Sequence, residues 1–288
     1  MKTIGCMANR QIAKDKSVSP STIDRHISRI ARHCMLFHQR MMQDSPPVRK
    51  VVVDGFESFE FGQNHPFHHH VAVEKDTDFF LYFTDSELRR KGRMTEAQKR
   101  RRHEVEMKLG RPDPKAIEKD MYELLLEVLE GQDKATVYSD DHHAYRKSIK
   151  RLQKEINHLV TPGKQHRDKH NSLWEVNLLD LLIRHCSANH KRETIAWSKR
   201  RQASAERLVI LLVWRNYIKG RREKVRGSPT PAMERGMMSA PLTIEELFRE
   251  RIFRTRCELP PRWAEYYDRK VDTRAIENPR RHELKLAY

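Results

Sequence analysis

The stretch Val51-Val52-Val53-Asp54-Gly55 decides which fold this chain is expected to have. Three β-branched residues in succession predict a short buried strand, and the glycine behind them predicts its end. The carboxylate of Asp54 would then lie at the tip of a buried strand, where burial of its charge costs on the order of several kcal/mol without a compensating partner. Taken alone, Asp54 is better explained as a turn-capping residue, so the rest of the sequence has to decide.

A second run with strand-forming residues that ends in an aspartate lies at residues 136–140 (Thr-Val-Tyr-Ser-Asp). If the two strands are neighbours in one sheet, Asp54 and Asp140 would meet, and two carboxylates that share a site repel each other and need a cation. Oxygen ligands of this kind select Mg²⁺ or Mn²⁺. Two such ions can clamp an in-line displacement at phosphorus, with a third ligand expected from a helix downstream.

The remaining pattern predicts further strands and helices around these two runs. Residues 50–53, 70–74 and 79–83 read as strands joined by antiparallel hairpins, and residues 156–160 read as one more strand. Residues 114–131, 171–184 and 203–219 carry apolar faces at helical spacing. Residues 86–110 form a basic, helix-like segment with little apolar stripe, suited either to contact with DNA or to a solvated and partly disordered surface.

Residues 1–45 look helical and basic. Ser19 followed by Pro20 is a good helix cap, and residues 21–33 carry an apolar stripe opposite an exposed polar face. This is the layout of a helix-turn-helix, whose second helix enters the major groove, although an ordinary helical hairpin fits the spacing equally well. The polar face of the second helix carries Ser21, Thr22, Asp24, Arg25, His26 and Arg29, and all of these except Asp24 are expected to contact DNA.

The composition favours a polyanionic partner. The 288 residues carry a net charge of +17, and nucleic acid is the commonest partner for such an excess. The cations are clustered, with ten Lys or Arg in each of the segments 89–111 and 199–226. Four isolated cysteines argue against a zinc ribbon or a disulfide framework, and no apolar run approaches the about 20 residues that cross a bilayer. We therefore expect a soluble, cytoplasmic protein that binds nucleic acid and no membrane.

Two motifs now resemble those of a known family. Residues 139–145 (Ser-Asp-Asp-His-His-Ala-Tyr) resemble the second-aspartate motif of DDE-type transposases from small bacterial insertion sequences, where a tyrosine follows five residues after the ligand. Residues 177–199 resemble their third motif, in which a basic residue, here Arg184, follows the acidic position by seven and an Arg-Thr-aromatic-Ser-Lys block comes next. The resemblance covers roughly residues 10–220.

The resemblance implies an α/β fold, with a ribonuclease-H-like mixed sheet flanked by helices and preceded by a small helix-turn-helix domain. The domain bounds expected are 1–45 for the helix-turn-helix, 46–220 for the catalytic domain with a basic insertion at 86–111, and 221–288 for a linker, a short helix and a basic tail. The catalytic metal would be Mg²⁺ or Mn²⁺. Arg184, Lys199 and Arg200 would join the residues of the second helix in contacting double-stranded DNA.

The third metal ligand is the point at which this chain departs from the family. Counting back seven from Arg184 gives Asn177, where the family usually has glutamate. Asparagine still offers a carbonyl oxygen to a hard cation, but it brings no charge. Glu175 and Asp180 are nearby alternatives, yet neither is followed by a basic residue seven positions later. Asn177 is therefore the preferred ligand beside Asp54 and Asp140, with Glu175 in reserve.

The function expected is a transposase that cleaves the ends of an insertion sequence at its terminal inverted repeats and transfers the strands, as a homo-oligomer in the bacterial cytoplasm. Two rival functions stay open. The chain could be a catalytically inactive, DNA-binding or repressor copy of such a transposase, which the weak third ligand favours. It could also be a structure-selective nuclease that uses the same fold on branched DNA.

Overall fold

A five-stranded mixed sheet forms the centre of the computed structural model, which describes residues 1–191 and 194–276. The strands are β1 (Lys50–Phe59), β2 (Pro66–Glu74), β3 (Phe80–Glu87), β4 (Lys134–Asp140) and β5 (Glu155–Thr161). Their order across the sheet is β3-β2-β1-β4-β5. The first three strands pair antiparallel, and β4 and β5 run parallel to β1. This is the ribonuclease-H-like topology, so the predicted fold class is confirmed.

Strand β1 continues past the glycine that was predicted to end it. Val51, Val52 and Val53 are fully buried as expected, but antiparallel pairing with β2 runs on without a break to Phe59. A β-carbon at Gly55 would collide with the ring of His68 and the backbone carbonyl of His69. The glycine is therefore needed for the close approach of β2, and the strand does not end there.

Helices cover both faces of the sheet. The α-helices of the described residues are α1 (Asn9–Asp15), α2 (Pro20–Gln43), α3 (Glu96–Leu109), α4 (Ala116–Val128), α5 (His143–Lys150), α6 (Trp174–Cys186), α7 (Arg201–Val213), α8 (Pro231–Glu234), α9 (Ile244–Arg249) and α10 (Pro261–Tyr267). On one face, the hydroxyl of Thr84 in β3 donates to the backbone carbonyl of Asp120 in α4 at 2.9 Å. On the other face His69 contacts the hydroxyl of Ser204 in α7, also at 2.9 Å. Helix α5 was not predicted from the sequence.

The N-terminal hairpin of α1 and α2 packs onto the sheet-bearing part of the molecule. Helix α2 begins as predicted, with the Ser19 hydroxyl accepting from the backbone N–H of Thr22 at 3.2 Å. It then continues ten residues beyond the predicted end at residue 33, because Cys34, Met35 and Leu36 are buried in the main core and the helix packs along α7. Ser28 donates to Glu206 of α7 at 2.9 Å, which ties the two helices together.

The C-terminal part is more ordered than the linker and tail that the sequence suggested. Thr230 and Ala232, in the first part of residues 221–288, where a linker was expected, are fully buried. Trp263 of α10 is also fully buried, and its indole N–H donates to the carbonyl of Phe83 in β3 at 3.1 Å. The difference arises because Trp263 packs against Tyr82 and Phe83 of β3 and Ala232 belongs to the main hydrophobic core. Residues 277–288 of the expected tail lie outside the described residues, as do Arg192 and Glu193 of the third motif.

No helix among the described residues is long and apolar enough to cross a membrane. The four cysteines are free thiols, of which Cys6 is partly exposed and the other three are buried.

Candidate active site

Asp54 and Asp140 occupy equivalent positions on neighbouring parallel strands. The register aligns Val52 of β1 with Tyr138 of β4, and each aspartate follows two residues later in its strand. Because side chains alternate between the faces of a sheet, both carboxylates project from the same face, on strands about 4.8 Å apart. Asp140 ends β4 as predicted. Asp54 lies in the middle of β1, since β1 is longer than expected.

The electrostatic surroundings of Asp54 favour its neutral form. The pKa of Asp54 is raised from 3.8 to about 7, chiefly by burial and in part by the negative charge of Asp140, while a hydrogen bond from the backbone N–H of Gly55 acts in the opposite direction. The carboxylate of Asp180 also raises this pKa, whereas Arg167 lowers it. The positive charge near Asp54 is too small to stabilise its ionised carboxylate. A bound cation would supply the missing positive charge.

Helix α6 presents Asp180 towards this pair. Asn177, Asp180 and Arg184 are spaced three and four residues apart, so they share one face of the helix. The Nε of Arg184 donates to both carboxylate oxygens of Asp180, each at 3.1 Å. The guanidinium of Arg184 lies 5.6 Å from the ring centroid of Phe56, which follows Asp54 by two residues and projects from the same face. Arg184 thus fixes the Asp180 carboxylate against β1.

Glu175, the reserve ligand, points elsewhere. Its buried carboxylate accepts from the Nζ of Lys75 at 2.7 Å, and its position on α6 is about half a turn away from Asn177. Asn177 itself is half-buried on the face that carries Asp180. Asp180 has no basic residue seven positions later but has one four positions later, one helical turn away, and that spacing is the sequence signal for its pairing with Arg184.

The residues after β4 complete the rim of the site. The backbone N–H of His142 donates to Oδ1 of Asp140 at 3.0 Å. Tyr145, the tyrosine of the second-aspartate motif, is buried, and burial together with the charges of Asp54 and Asp140 raises the pKa of its phenol well above the usual value. Its hydroxyl therefore keeps its proton and can act as a hydrogen-bond donor.

The donors at this site suit a hard divalent cation. Asp54, Asp140, Asp180 and Asn177 offer only carboxylate and amide oxygens, the ligand type that Mg²⁺ and Mn²⁺ prefer. No ready-made cluster of three His, Cys, Asp or Glu ligands exists within residues 1–191 and 194–276. Asp54 and Asp140 could supply two oxygen ligands, and Asp180 and Asn177 of α6 are the side chains that could add a third.

The predicted DNA-binding residues lie in three places. Ser21, Arg25, His26 and Arg29 are exposed along the outer face of α2, with Thr22 partly exposed beside them. Arg184 lies at the carboxylates, paired with Asp180. Lys199 is exposed and Arg200 is partly exposed, and the carbonyl of Lys199 accepts from the backbone N–H of Phe61 at 3.0 Å. The last two residues therefore flank the turn between β1 and β2.

Neither a model of a known protein family nor a curated protein sequence matches the chain. Among solved structures it is similar to a simian T-cell lymphotropic virus intasome in complex with PP2A regulatory subunit B56 gamma, at 14% identity and a TM-score of 0.30, covering 68% of this chain and 58% of that chain. It is also similar to the Mos1 mariner paired-end complex with Mn, at 11% identity and a TM-score of 0.30, covering 85% of this chain and 72% of that chain. The HTLV-2 integrase catalytic core domain in complex with magnesium follows at 11% identity and a TM-score of 0.24, covering 66% of this chain and 95% of that chain. The assignment of the fold rests on the strand order of the sheet.

Proposed function

We propose that this chain is a metal-dependent phosphoryl transferase of the transposase and integrase kind, which cleaves and joins DNA strands. The observation that carries the proposal is that Asp54 and Asp140 lie on adjacent parallel strands of a ribonuclease-H-like sheet, each two residues beyond the last paired residues, Val52 and Tyr138. The raised pKa of Asp54 adds to it, because a pair of carboxylates short of positive charge calls for a cation. The strongly basic composition supports DNA as the substrate.

The residues of the candidate active site would have different roles in strand cleavage. Asp54 and Asp140 would hold a divalent cation, which when bound activates the attacking oxygen and stabilises the leaving oxygen. Asp180 would be the third carboxylate, with the amide oxygen of Asn177 beside it on the same helix face. Arg184 orients Asp180 through its two hydrogen bonds. The exposed guanidinium of Arg167 would bind the phosphate that enters the site.

We further propose that the chain is the transposase of a bacterial insertion sequence. It would act in the cytoplasm as a homo-oligomer that brings two element ends together. The hairpin of α1 and α2 would recognise the terminal inverted repeats, since Ser21, Arg25 and Arg29 are exposed along one side of α2. Sequence-specific contacts of this type come from the early residues of the second helix.

The proposal is tested by strand cleavage in vitro. A labelled duplex that carries the element's own end is incubated with Mg²⁺ or Mn²⁺ and either the wild type or the Asp54→Asn variant. We expect cleavage at the end by the wild type and none by the variant, with DNA binding retained by both. Glu57→Gln is the matched control, because Glu57 is an exposed carboxylate on the same strand.

Other outcomes of this assay separate the rival functions. Tight binding by the wild type without cleavage in either metal would identify an inactive DNA-binding copy. Cleavage of branched DNA that ignores the terminal sequence would identify a structure-selective nuclease. Either result would refute the proposed transposase activity.

The third ligand is tested with three further variants. Asp180→Asn should lower the cleavage rate by at least the roughly 10–100-fold that loss of a supporting metal contact costs. Glu175→Gln should have little effect on the rate, because Glu175 pairs with Lys75 on another side of the helix. If Asn177→Ala instead lowered the cleavage rate by this amount and Asp180→Asn left the rate unchanged, the result would support Asn177 as the ligand.

A further inference from the structure

The first basic segment, residues 89–111, lies at the end of the sheet where the candidate active site opens. Arg90 donates to the side-chain carbonyl of Asn64 in the β1–β2 turn at 2.7 Å. Strand β3 ends at Glu87 beside the start of β2, and β1 and β4 both run towards this end of the sheet, where Asp140 closes β4. The segment therefore begins at the same end of the sheet as Asp140 and follows the β1–β2 turn.

The second basic segment, residues 199–226, is divided between the two ends of the sheet. Its first residues flank the β1–β2 turn, where Lys199 contacts Phe61. Helix α7 and the π-helix that continues it to Ile218 carry the chain to the opposite end. There Arg221 donates to Asp78 in the β2–β3 turn at 2.8 Å. The exposed Lys224 and Arg226 follow, about 30 Å from the active-site end if β1 is fully extended.

Helix α3 within the first segment is held by ion pairs and buries no side chain. Glu106 receives three guanidinium groups, from Arg89 at 2.7 Å, Arg111 at 3.0 Å and Arg102 at 3.6 Å. A helix of this length without a packed apolar face is marginal in water. Its attachment through Glu106 therefore fixes one side of α3 and leaves the other side exposed to solvent.

The exposed side of α3 and the segment before it carry cations without carboxylate partners. Lys99 and Arg101 are neutralised by neighbouring glutamates within the helix. Four other exposed cations form no ion pair in the part of the chain that the structure describes, and we name them the α3 surface: Lys91, Arg93, Arg100 and Lys108. A set of exposed, like charges on a weakly packed helix suits an external polyanion.

We propose that the α3 surface binds the phosphate backbone of duplex DNA next to the strand that enters the candidate active site, an inference that rests on the proposed function. Contacts from Lys and Arg to phosphate fix position and carry no sequence information. A membrane surface is a poorer partner, because a helix that binds lipid needs an apolar face and α3 lacks one. Lys224 and Arg226, at the opposite end of the sheet, take no part in this contact.

The test compares two double variants that change the net charge equally. Arg100→Glu with Lys108→Glu alters the α3 surface, and Lys224→Glu with Arg226→Glu is the matched control. Both are made together with Asp54→Asn so that the DNA stays intact. Binding of a labelled duplex of about 30 base pairs is measured by fluorescence anisotropy over a range of salt concentrations, with circular dichroism to verify the fold.

The α3 variant should bind about tenfold or more weakly, and its plot of log affinity against log salt should be flatter by about 2, because two phosphate contacts are lost. The control should bind within about twofold of the parent with an unchanged slope. Equal effects in the two variants would overturn the proposal, since they would reflect net charge alone. Tighter binding to an RNA duplex or to anionic vesicles, with the same dependence on Arg100 and Lys108, would also overturn it.

The outcomes of the binding and cleavage assays distinguish failure of the α3 surface from failure of the proposed function. Symmetric binding losses together with normal strand cleavage by the otherwise wild-type chain would refute the α3 surface and leave the transposase activity standing. A one-sided binding loss in a chain that cleaves no DNA would support the surface and refute the activity.

Discussion

Replacing Asp54 by asparagine should stabilise the protein at neutral and alkaline pH while abolishing its chemistry. Burial and the charge of Asp140 raise the pKa of Asp54 to about 7, so the ionised carboxylate is unfavourable in the folded state. Asparagine has almost the same shape and no charge. The variant therefore removes the electrostatic cost without creating a cavity.

The size and sign of the effect follow from the two pKa values. The folded state keeps a proton on Asp54 between its unfolded value of 3.8 and its folded value of about 7, whereas the unfolded chain releases it. Stability of the wild type should therefore fall by about 1.4 kcal/mol per pH unit across that window. The total is about 4 kcal/mol at pH 8, and it should be near zero at pH 4.

The assay is urea unfolding of the wild type and Asp54→Asn from pH 4 to pH 9, first with EDTA and then with Mg²⁺. The stability advantage of the variant should grow across the window and level off above pH 7. Saturating Mg²⁺ should reduce that advantage by stabilising the wild type alone. Glu57→Gln, on an exposed position of the same strand, should follow the wild type at every pH. A variant that is less stable than the wild type at pH 8, or a difference that is independent of pH, would refute the reasoning.

Three further substitutions probe the fold. Gly55→Ala should cost about 1–3 kcal/mol in urea unfolding, because its β-carbon would collide with the backbone carbonyl of His69; an unchanged midpoint would contradict the close approach of β2. Trp263→Ala should cost about 3–5 kcal/mol, as expected for a fully buried aromatic residue, and a loss below 1 kcal/mol (roughly the effect of a surface change) would show that α10 is not part of the core. Glu106→Gln should weaken the attachment of α3 and speed amide hydrogen exchange in α3 but not in α4; equal exchange in wild type and variant would rule out the ion pairs as the main anchor.

Local patterns predicted the elements whose cause is local. The valine run before Asp54 and the run that ends at Asp140 form strands because their β-branched side chains fill a buried surface. The two aspartates were predicted to meet only if their strands are neighbours, and β1 and β4 are adjacent in the sheet. The extension of β1 beyond Gly55 depends on pairing with β2, a contact between distant residues. Polar residues such as Glu57 gave no sign of it.

Tertiary contacts also explain the other differences. Trp263 lies in a basic segment with no clear periodicity, and only its contact with Phe83 makes it a core residue. The third ligand stays a prediction: the motif spacing favours Asn177, whereas the ion pair of Asp180 with Arg184, which spans one helical turn, favours Asp180. The orientation of α6 against β1, which places Asp180 towards Asp54, is not encoded in any short pattern.

If Asp140 binds the catalytic cation through its carboxylate, as proposed, replacing it by cysteine should change which metal ion supports cleavage. A thiolate binds Mg²⁺ poorly and accepts softer ions better. The Asp140→Cys variant should therefore cleave the element's end only when Mn²⁺ or Cd²⁺ replaces Mg²⁺, while the wild type cleaves it in Mg²⁺. Cleavage by Asp140→Cys in Mg²⁺ at the wild-type rate would contradict the claim.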